Sequence, residues 1–260
     1  MNIAILVKQV PDTTEMKIDS VTGTLIRTGV PSIINPDDLA GLEAALQLKD
    51  QLGATLTVIT MGPPQAEGML REILARGVDE AVLLSDAKFA GADTWATSTT
   101  LAAYLRQHPA DLILAGRQAI DGDTAQVGPQ VAEKLGLPQV TYVEGILGLE
   151  GQTLRVLKAY EDVSEELEVD LPALITTLST MNTPRLMNVR DAWIADEKPY
   201  RKVTFADLDL NENDVGLKGS PTQVRKTFTR TLPPAALKTD LSPDEAANLI
   251  VDLLGPYLEA

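Results

Sequence analysis

Short apolar runs alternate with amphipathic helical patterns over the first half of the chain. The apolar runs occupy residues 3–8, 55–60, 81–85 and 111–115. Runs this short and this apolar are typical of parallel strands buried on both faces. Helical patterns fill the intervals, at residues 37–52, 64–76, 94–107 and 124–135. The alternation predicts an α/β fold with a doubly wound, mostly parallel, Rossmann-like sheet and right-handed crossovers.

Capping residues fix the predicted ends of two of these helices. Asn35 can cap the free N–H groups of the first helix, and Pro36 suits its first turn. Gly53 is expected to end that helix. Asp93 is the expected cap of the helix that begins at residue 94.

Strand patterns also appear outside the alternating region. Residues 12–30 read as a hairpin that turns at Thr22-Gly23 and is laid over the first strand. Further strands are predicted at residues 153–160, 165–170 and 173–178. They extend the sheet to about residue 178.

The character of the sequence changes near residue 190. Residues 195–240 are rich in Pro, Lys and Asp, and only residues 242–258 look helical again. Scattered apolar residues favour an arm ordered on a partner over plain disorder. The sequence therefore predicts two parts: an α/β domain over residues 1–190, and an extended arm with a terminal helix over residues 191–260 that embraces a partner subunit.

The charge balance excludes some classes of partner. The formal net charge is -15, which disfavours nucleic acid and anionic membranes as ligands. No apolar run approaches the length of a membrane span. The apolar start ends at Lys8, too early for a signal peptide, so a cytoplasmic location is expected.

Residue counts restrict the available chemistry. The chain has no cysteine and one histidine, His108. Disulfides, thiol catalysis and cysteine-ligated iron–sulfur clusters are therefore excluded within this chain, and a metal site is not expected. Any redox work would require an organic cofactor.

The strongest local feature is the run from residue 115 to residue 129, which follows the fourth strand. No G-x-G-x-x-G and no Walker loop is present, but ligands of doubly wound sheets bind beyond the carboxyl ends of the strands. Glycines in this run would let a ligand approach, and the following helix would offer N–H groups to a phosphate. Asp121 and Asp123 could cap that helix, bind ribose hydroxyls or hold Arg117. From the residues alone, a nucleotide site and an ordinary surface loop both remain open.

Several segments resemble one known family in order along the chain. AGRQAIDGDTAQVGPQVAEKLG resembles the nucleotide-binding loop of the electron-transfer flavoprotein beta-subunit family. The resemblance extends over residues 1–190 through VKQVPDT, INPDDLAGLEAALQLK, ITMGPPQAE, LKAYEDVSEELEVDLPALITT and MNTPRLMNV.

The resemblance implies a site for AMP or for a complete FAD. The implied cofactor-binding residues are Leu6, Val7, Lys8, Asn35, Asp38, Met61, Gly62, Thr94, Asp121, Gly122, Asp123, Thr124, Gln126, Val127 and Gly128. Phe89 and residues 91–93 are expected to line the same pocket. The loop sequence DGDTAQVG and the segment GLKGSPTQV at residues 216–224 are similar to the bifurcating, nitrogen-fixation-associated branch, in which a second FAD replaces AMP.

The same resemblance implies a mechanism and partners. NADH would give a hydride to FAD held by this subunit, with no side chain acting as acid, base or nucleophile. Electrons would then leave singly, one through the FAD of an obligate alpha subunit to an acyl-CoA dehydrogenase or quinone-linked acceptor, and one to ferredoxin or flavodoxin. Met181 and Leu186 are the residues implied in partner docking. Any NADH-oxidising activity would belong to the complex.

Three other interpretations compete with this one. The first is a conventional member of the same family with structural AMP. The second is a nucleotide-sensing regulatory domain of the universal-stress type, which shares the strand–helix rhythm. The third is an α/β hydrolase, disfavoured because the sequence has no Gly-x-Ser-x-Gly elbow.

Overall fold

The computed structural model describes residues 1–12, 17–18, 25–26, 31–223 and 240–258. The chain forms two compact units, Met1–Arg225 and Lys226–Ala260. The first unit carries the sheet and its covering helices.

The strands and helices of the described residues follow the predicted rhythm. The strands are β1 (Asn2–Leu6), β2 (Gln9–Pro11), β3 (Lys17–Ile18), β4 (Leu25–Ile26), β5 (Ser32–Ile34), β6 (Thr55–Met61), β7 (Glu80–Leu84), β8 (Leu112–Gly116), β9 (Gln139–Glu150), β10 (Thr153–Ala159), β11 (Ser164–Asp170), β12 (Ala173–Thr177) and β13 (Tyr200–Val203). The helices are α1 (Pro36–Leu52), α2 (Glu67–Leu74), α3 (Thr94–Gln107), α4 (Val127–Leu135), α5 (Val189–Ile194) and α6 (Pro243–Leu258).

Nine strands form one sheet in the order β11-β10-β9-β12-β8-β1-β6-β7-β13. The seven strands from β9 to β13 in this order run parallel, whereas β10 and β11 add an antiparallel edge. The predicted doubly wound, mostly parallel sheet is confirmed.

The strand order reverses direction at β1. The chain passes from β1 through α1 and α2 to β6 and β7 on one side, and then through α3 to β8 on the other side. One apolar layer includes Leu42, Leu46 and Ile73 of α1 and α2. The opposite layer includes Leu101 of α3 and Val131 of α4. A crevice therefore opens beyond the carboxyl ends of β1 and β8, where such folds bind ligands.

Two of the predicted helix ends are confirmed, and one cap is wrong. Gly53 ends α1 in the left-handed conformation at φ 65°, and its N–H donates to the Lys49 carbonyl at 2.9 Å. The Asp93 carboxylate accepts the Ala96 N–H at 3.0 Å and caps α3. The Asn35 side chain bonds to a distant loop rather than to the N–H groups of α1. Local sequence rules cannot see a partner 83 residues away.

Other boundaries differ from the predictions. Helix α4 begins at Val127 and not at residue 124, because the preceding residues form an irregular loop. Strands β9 and β13 were not predicted. β3 pairs with β4, as expected for the predicted hairpin, and β2 pairs with β5 outside it. The predicted turn at Thr22-Gly23 lies outside the described residues.

Part of the segment beyond residue 190 packs within the first unit. β13 pairs with β7 at the edge of the sheet, and Val203, Leu208 and Val215 are buried in the apolar layer of α3 and α4. Only the residues after Arg225 form the second unit. The predicted terminal helix is present as α6, and the Ser242 hydroxyl before it donates to Glu245 Oε2 at 2.7 Å. Within the described ranges, no helix has the length and apolar character needed to cross a membrane.

Candidate functional site

A cavity of about 820 Å³ lies beyond the carboxyl ends of the parallel strands. It extends from the end of β8 across β1, β6 and β7 to β13, and the first turns of α3 and α4 form part of its wall. Twelve of the predicted cofactor-binding residues line it: Leu6, Val7, Lys8, Asp38, Met61, Gly62, Thr94, Gly122, Thr124, Gln126, Val127 and Gly128. The cavity has the size of a typical small-molecule site.

The other three predicted residues brace the loop behind the cavity. Asn35 is fully buried; its amide donates to the Gln118 carbonyl at 2.8 Å, and its Oδ1 accepts the Ile120 N–H at 3.1 Å. Asp121 pairs with Lys8 at 2.7 Å. Asp123 accepts a hydrogen bond from the Gln118 side chain at 2.8 Å. These residues therefore shape the loop.

Neither carboxylate of the loop holds Arg117. The Arg117 guanidinium lies 3.2 Å from Asp37 Oδ2 and 5.8 Å from the centre of the Tyr142 ring. Asp37 also accepts the Ser179 N–H at 2.8 Å. Arg117 is thus tied to the start of α1, while its side chain still lines the cavity.

Asp38 links the ends of β1 and β8, at the point where the strand order reverses. One carboxylate oxygen accepts the Lys8 N–H at 2.7 Å, just after β1, and the other accepts the Gly116 N–H at 3.0 Å, at the end of β8. Burial raises the pKa of Asp38 to about 7, although these hydrogen bonds act in the opposite direction. A Cβ at residue 116 would lie 2.1 Å from Asp38 Oδ1, so only glycine fits there.

The loop before α4 has an irregular backbone. Asp123 and Ala125 adopt positive φ values of 46° and 52°. Left-handed backbone at residues other than glycine costs about 1 kcal/mol each and is concentrated at ligand-binding segments. The Thr94 hydroxyl donates to Gln126 Oε1 at 2.8 Å and links the loop to α3.

The two helix N-termini that face the cavity differ in their capping. The carboxylate of Asp93 occupies the start of α3. At α4, no side chain of the described residues caps the first turn. Because a helix N-terminus carries partial positive charge and free N–H groups, the start of α4 can receive an anionic group of a ligand.

Gly128 is required mainly by helix packing. The sequence suggested that this glycine lets phosphates approach. A Cβ at residue 128 would lie 2.7 Å from Thr176 Cγ2, on the sheet side of α4. The absence of a side chain therefore lets α4 pack closely on β12, and a large substitution here would disturb the fold as well as the site.

The cavity includes residues that the sequence interpretation did not identify. Phe89 and residues 91–93 line it, as expected. Ser85, Asp86 and Lys202 line it as well. Ser85 and Asp86 directly follow β7 and could have been found by the rule that ligands bind at strand ends. Lys202 lies on β13, whose pairing with β7 no local signal revealed.

The segment after residue 215 supports the α3 side of the cavity. Asp93 accepts hydrogen bonds from the N–H and the hydroxyl of Thr222, at 3.0 and 2.7 Å. The Asp93 N–H donates to the Ser220 hydroxyl at 2.8 Å, and the Leu217 N–H donates to the Ala90 carbonyl at 3.0 Å. These bonds fix the loop that follows β7.

The two predicted docking residues have different surroundings. Met181 is partly buried and packs against the core. Leu186 is 85% exposed. Met187, Val189 and Trp193 are also exposed and lie close to Leu186 in the sequence, and we call these four residues the exposed apolar patch.

Comparison with known proteins identifies the class of protein that carries this fold and site. A family model described as "Electron transfer flavoprotein domain" matches residues 22–209. The chain therefore belongs to the electron transfer flavoprotein family, whose members transfer electrons.

Its relatives include proteins named as beta subunits. The chain is 53% identical over 254 residues to electron transfer flavoprotein subunit beta of Clostridium acetobutylicum, covering 98% of both chains. It is 51% identical to the caffeyl-CoA reductase-Etf complex subunit CarD of Acetobacterium woodii, again covering 98% of both. It is 45% identical to protein FixA of Azotobacter vinelandii, covering 88% of this chain and 84% of the relative. The family resemblance seen in the sequence is confirmed.

Proposed function

We propose that this chain is the beta subunit of a heterodimeric, bifurcating electron transfer flavoprotein and that the cavity holds FAD. The observation that carries the proposal is the cavity at the strand-order reversal, which the uncapped start of α4 and the loop of residues 121–126 border. When bound, the flavin would accept hydride from NADH and release electrons singly towards the alpha-subunit FAD and towards ferredoxin or flavodoxin.

The lining residues suit the parts of such a cofactor. The first-turn N–H groups of Val127 and Gly128 would receive the diphosphate. Thr124 and Gln126 offer neutral hydrogen-bonding groups to ribose or adenine. An apolar wall would exclude water from the rings, and it consists of Leu6, Ile59, Met61, Phe89 and Leu101.

The length of the cavity favours a dinucleotide over AMP. The part near β1 and β8 would accommodate a mononucleotide. The remainder continues past β6 and β7 to Lys202 on β13, and a ligand that fills it must extend beyond one phosphate. A conventional subunit with structural AMP is the second candidate, since AMP would use the same helix N-terminus.

The names of the relatives support the redox partners. One relative is named as part of a caffeyl-CoA reductase-Etf complex, and another, from Anaerotignum propionicum, is an acryloyl-CoA reductase electron transfer subunit. We infer that an acyl-CoA dehydrogenase or a quinone-linked acceptor receives electrons from the complex. Electron transfer from NADH to ferredoxin or flavodoxin fits the cytoplasmic location expected from the sequence.

We propose that the C-terminal segment binds the alpha subunit. Helix α6 exposes apolar side chains, among them Ile250, Leu253 and Tyr257. Exposed apolar surface of this kind marks an interaction site. The segment after Arg225 would embrace the alpha subunit, with α6 as the apolar anchor.

The exposed apolar patch would dock the acyl-CoA dehydrogenase. Leu186, Val189 and Trp193 are more than four-fifths exposed, and large apolar side chains in one patch are typical of interface anchors. The acyl-CoA reductases in the names of two relatives support this occupant. Met181 would support the patch from the core side.

Cofactor analysis of the co-expressed heterodimer tests the proposal. Two FAD per heterodimer, with rapid bleaching by NADH, is the expected result. One FAD and one AMP would establish the conventional alternative, and a colourless chain that binds only ATP would favour a nucleotide-sensing role.

A pair of glycine variants tests the proposed location of the cofactor. For both Gly122 and Gly148, no atom of the described residues beyond the glycine and its chain neighbours lies within 4 Å of an added Cβ, but only Gly122 lines the cavity. Gly122→Leu should release the cofactor of this subunit, whereas Gly148→Leu on β9 should retain it. Equal retention in both variants would contradict the assignment of the cavity.

A further inference from the structure

The segment that leads from β12 to the exposed apolar patch is bonded along the length of α1. The Thr177 hydroxyl donates to the Asp37 carbonyl at 3.0 Å, and the Ser179 N–H donates to the Asp37 carboxylate at 2.8 Å. One turn further along the helix, the Asn182 amide donates to the Ala40 carbonyl at 2.9 Å. The chain is thus held to α1 until it reaches Arg185.

Arg185 and Glu43 form the last of these attachments and the one with the most hydrogen bonds. Glu43 is 5% exposed. Its two oxygens accept the Arg185 N–H at 3.0 Å, Nε at 2.9 Å and Nη2 at 3.1 Å. The remaining Arg185 nitrogen, Nη1, donates to Asp50 at 2.7 Å. Burial by itself raises the pKa of Glu43, but the hydrogen bonds from Arg185 and Gln47, together with the charge of Arg185, outweigh it. The net pKa is lowered, so the carboxylate is charged.

Further bonds hold the chain on both sides of the patch. Before the patch, Arg76 donates to the Arg185 carbonyl at 2.6 Å. Asn188 caps α5 by accepting the Asp191 N–H at 2.8 Å. Lys198, beyond α5, donates to the Leu74 carbonyl at 2.8 Å and pairs with Asp191 at 3.2 Å. The patch therefore lies between two anchored ends.

An ion pair whose carboxylate is buried, next to solvent-exposed apolar residues, requires a reason. Desolvating a carboxylate is costly, and a loop whose tip is exposed gains little stability from being held in one conformation. Holding the loop in one conformation does lower the entropic cost of binding a partner, because the side chains are already in place.

We propose that Glu43 and Arg185 are positioning residues that hold the exposed apolar patch in its docking conformation. This inference rests on the proposed docking of an acyl-CoA dehydrogenase to that patch. Glu43 makes no contact with the partner; it acts through Arg185. Helix α1 would then serve two sites, with Asp38 at the cavity and Glu43 at the patch.

The test uses the co-expressed heterodimer with NADH as donor and a purified acyl-CoA dehydrogenase as the varied acceptor. Glu43→Gln should raise the apparent KM for the dehydrogenase about tenfold with kcat and the rate of flavin reduction by NADH unchanged. Amide hydrogen exchange over residues 186–193 should become faster, and exchange in α3 should not change. Arg185→Gln should give the same pattern, which guards against a folding defect peculiar to the buried position.

Two controls separate the positioning role from docking itself. Lys49→Gln removes another ion pair of α1, with Asp79 at 2.6 Å, and should leave the KM unchanged. Trp193→Ala removes a patch side chain directly and should raise the KM. If Trp193→Ala has no effect, docking at the patch is wrong, and the inference fails with it. If Trp193→Ala raises the KM but Glu43→Gln and Arg185→Gln do not, docking stands and the positioning role is overturned.

Discussion

Single residues in the cavity wall have distinct physical roles, and Gly128 shows this most directly. Gly128→Ala would place a methyl group 2.7 Å from Thr176 Cγ2 under α4. We expect a loss of about 1–3 kcal/mol in the free energy of unfolding, as for other overpacked sites. Urea denaturation measures it. Gly122→Ala, in the open part of the loop, is the matched control and should change stability by less than about 0.5 kcal/mol.

The raised pKa of Asp38 predicts that the free energy of unfolding depends on pH. Burial raises its pKa from 3.8 to about 7 in the folded chain, so the folded chain binds this proton more tightly than the unfolded chain. The resulting stabilisation is present below about pH 4 and is lost as the pH rises towards 7. The difference in the free energy of unfolding between wild type and Asp38→Asn should fall by about 4 kcal/mol over that range. A difference that is constant with pH would show that Asp38 titrates normally.

At the scale of elements, β13 contributes to the packing and stability of the sheet. Val203 is 4% exposed and belongs to the apolar layer of α3 and α4. Val203→Ala should destabilise the chain by about 2 kcal/mol in thermal or urea unfolding. Arg201→Ala, on the same strand with a partly exposed pair to Glu80, should cost less than about 1 kcal/mol. Equal effects would mean that β13 does not pack as described.

The same strand shows which elements a sequence can predict. β1, β6, β7 and β8 are apolar runs buried on both faces, so their composition alone indicates them. β13 reads YRKV and β9 contains two glycines with irregular burial, because an edge or partly exposed strand needs no apolar run. Their places depend on pairing with distant strands, which local patterns do not contain.

At the scale of the whole molecule, the position of the site was predictable and its supporting contacts were not. The order of strands in a doubly wound sheet brings residues 6–8, 61–62 and 121–128 to one edge. The role of Asn35, in contrast, depends on its hydrogen bond to a loop that is 83 residues away in the sequence. Lys202 enters the cavity only because β13 adds to the far edge of the sheet.

The division into two units predicts how the chain behaves when it is shortened. A chain that ends at Arg225 keeps β13, Leu208 and Val215 and therefore its whole apolar core. It should unfold with the same urea midpoint as the full chain, but it should no longer co-purify with the alpha subunit, because the apolar face of α6 is gone. A chain that ends at Asn188 lacks β13 and should aggregate, since the layer of α3 and α4 would be exposed. If the chain ending at Arg225 still held the alpha subunit at full yield, the residues before it would have to form that interface, and α6 would not be the anchor.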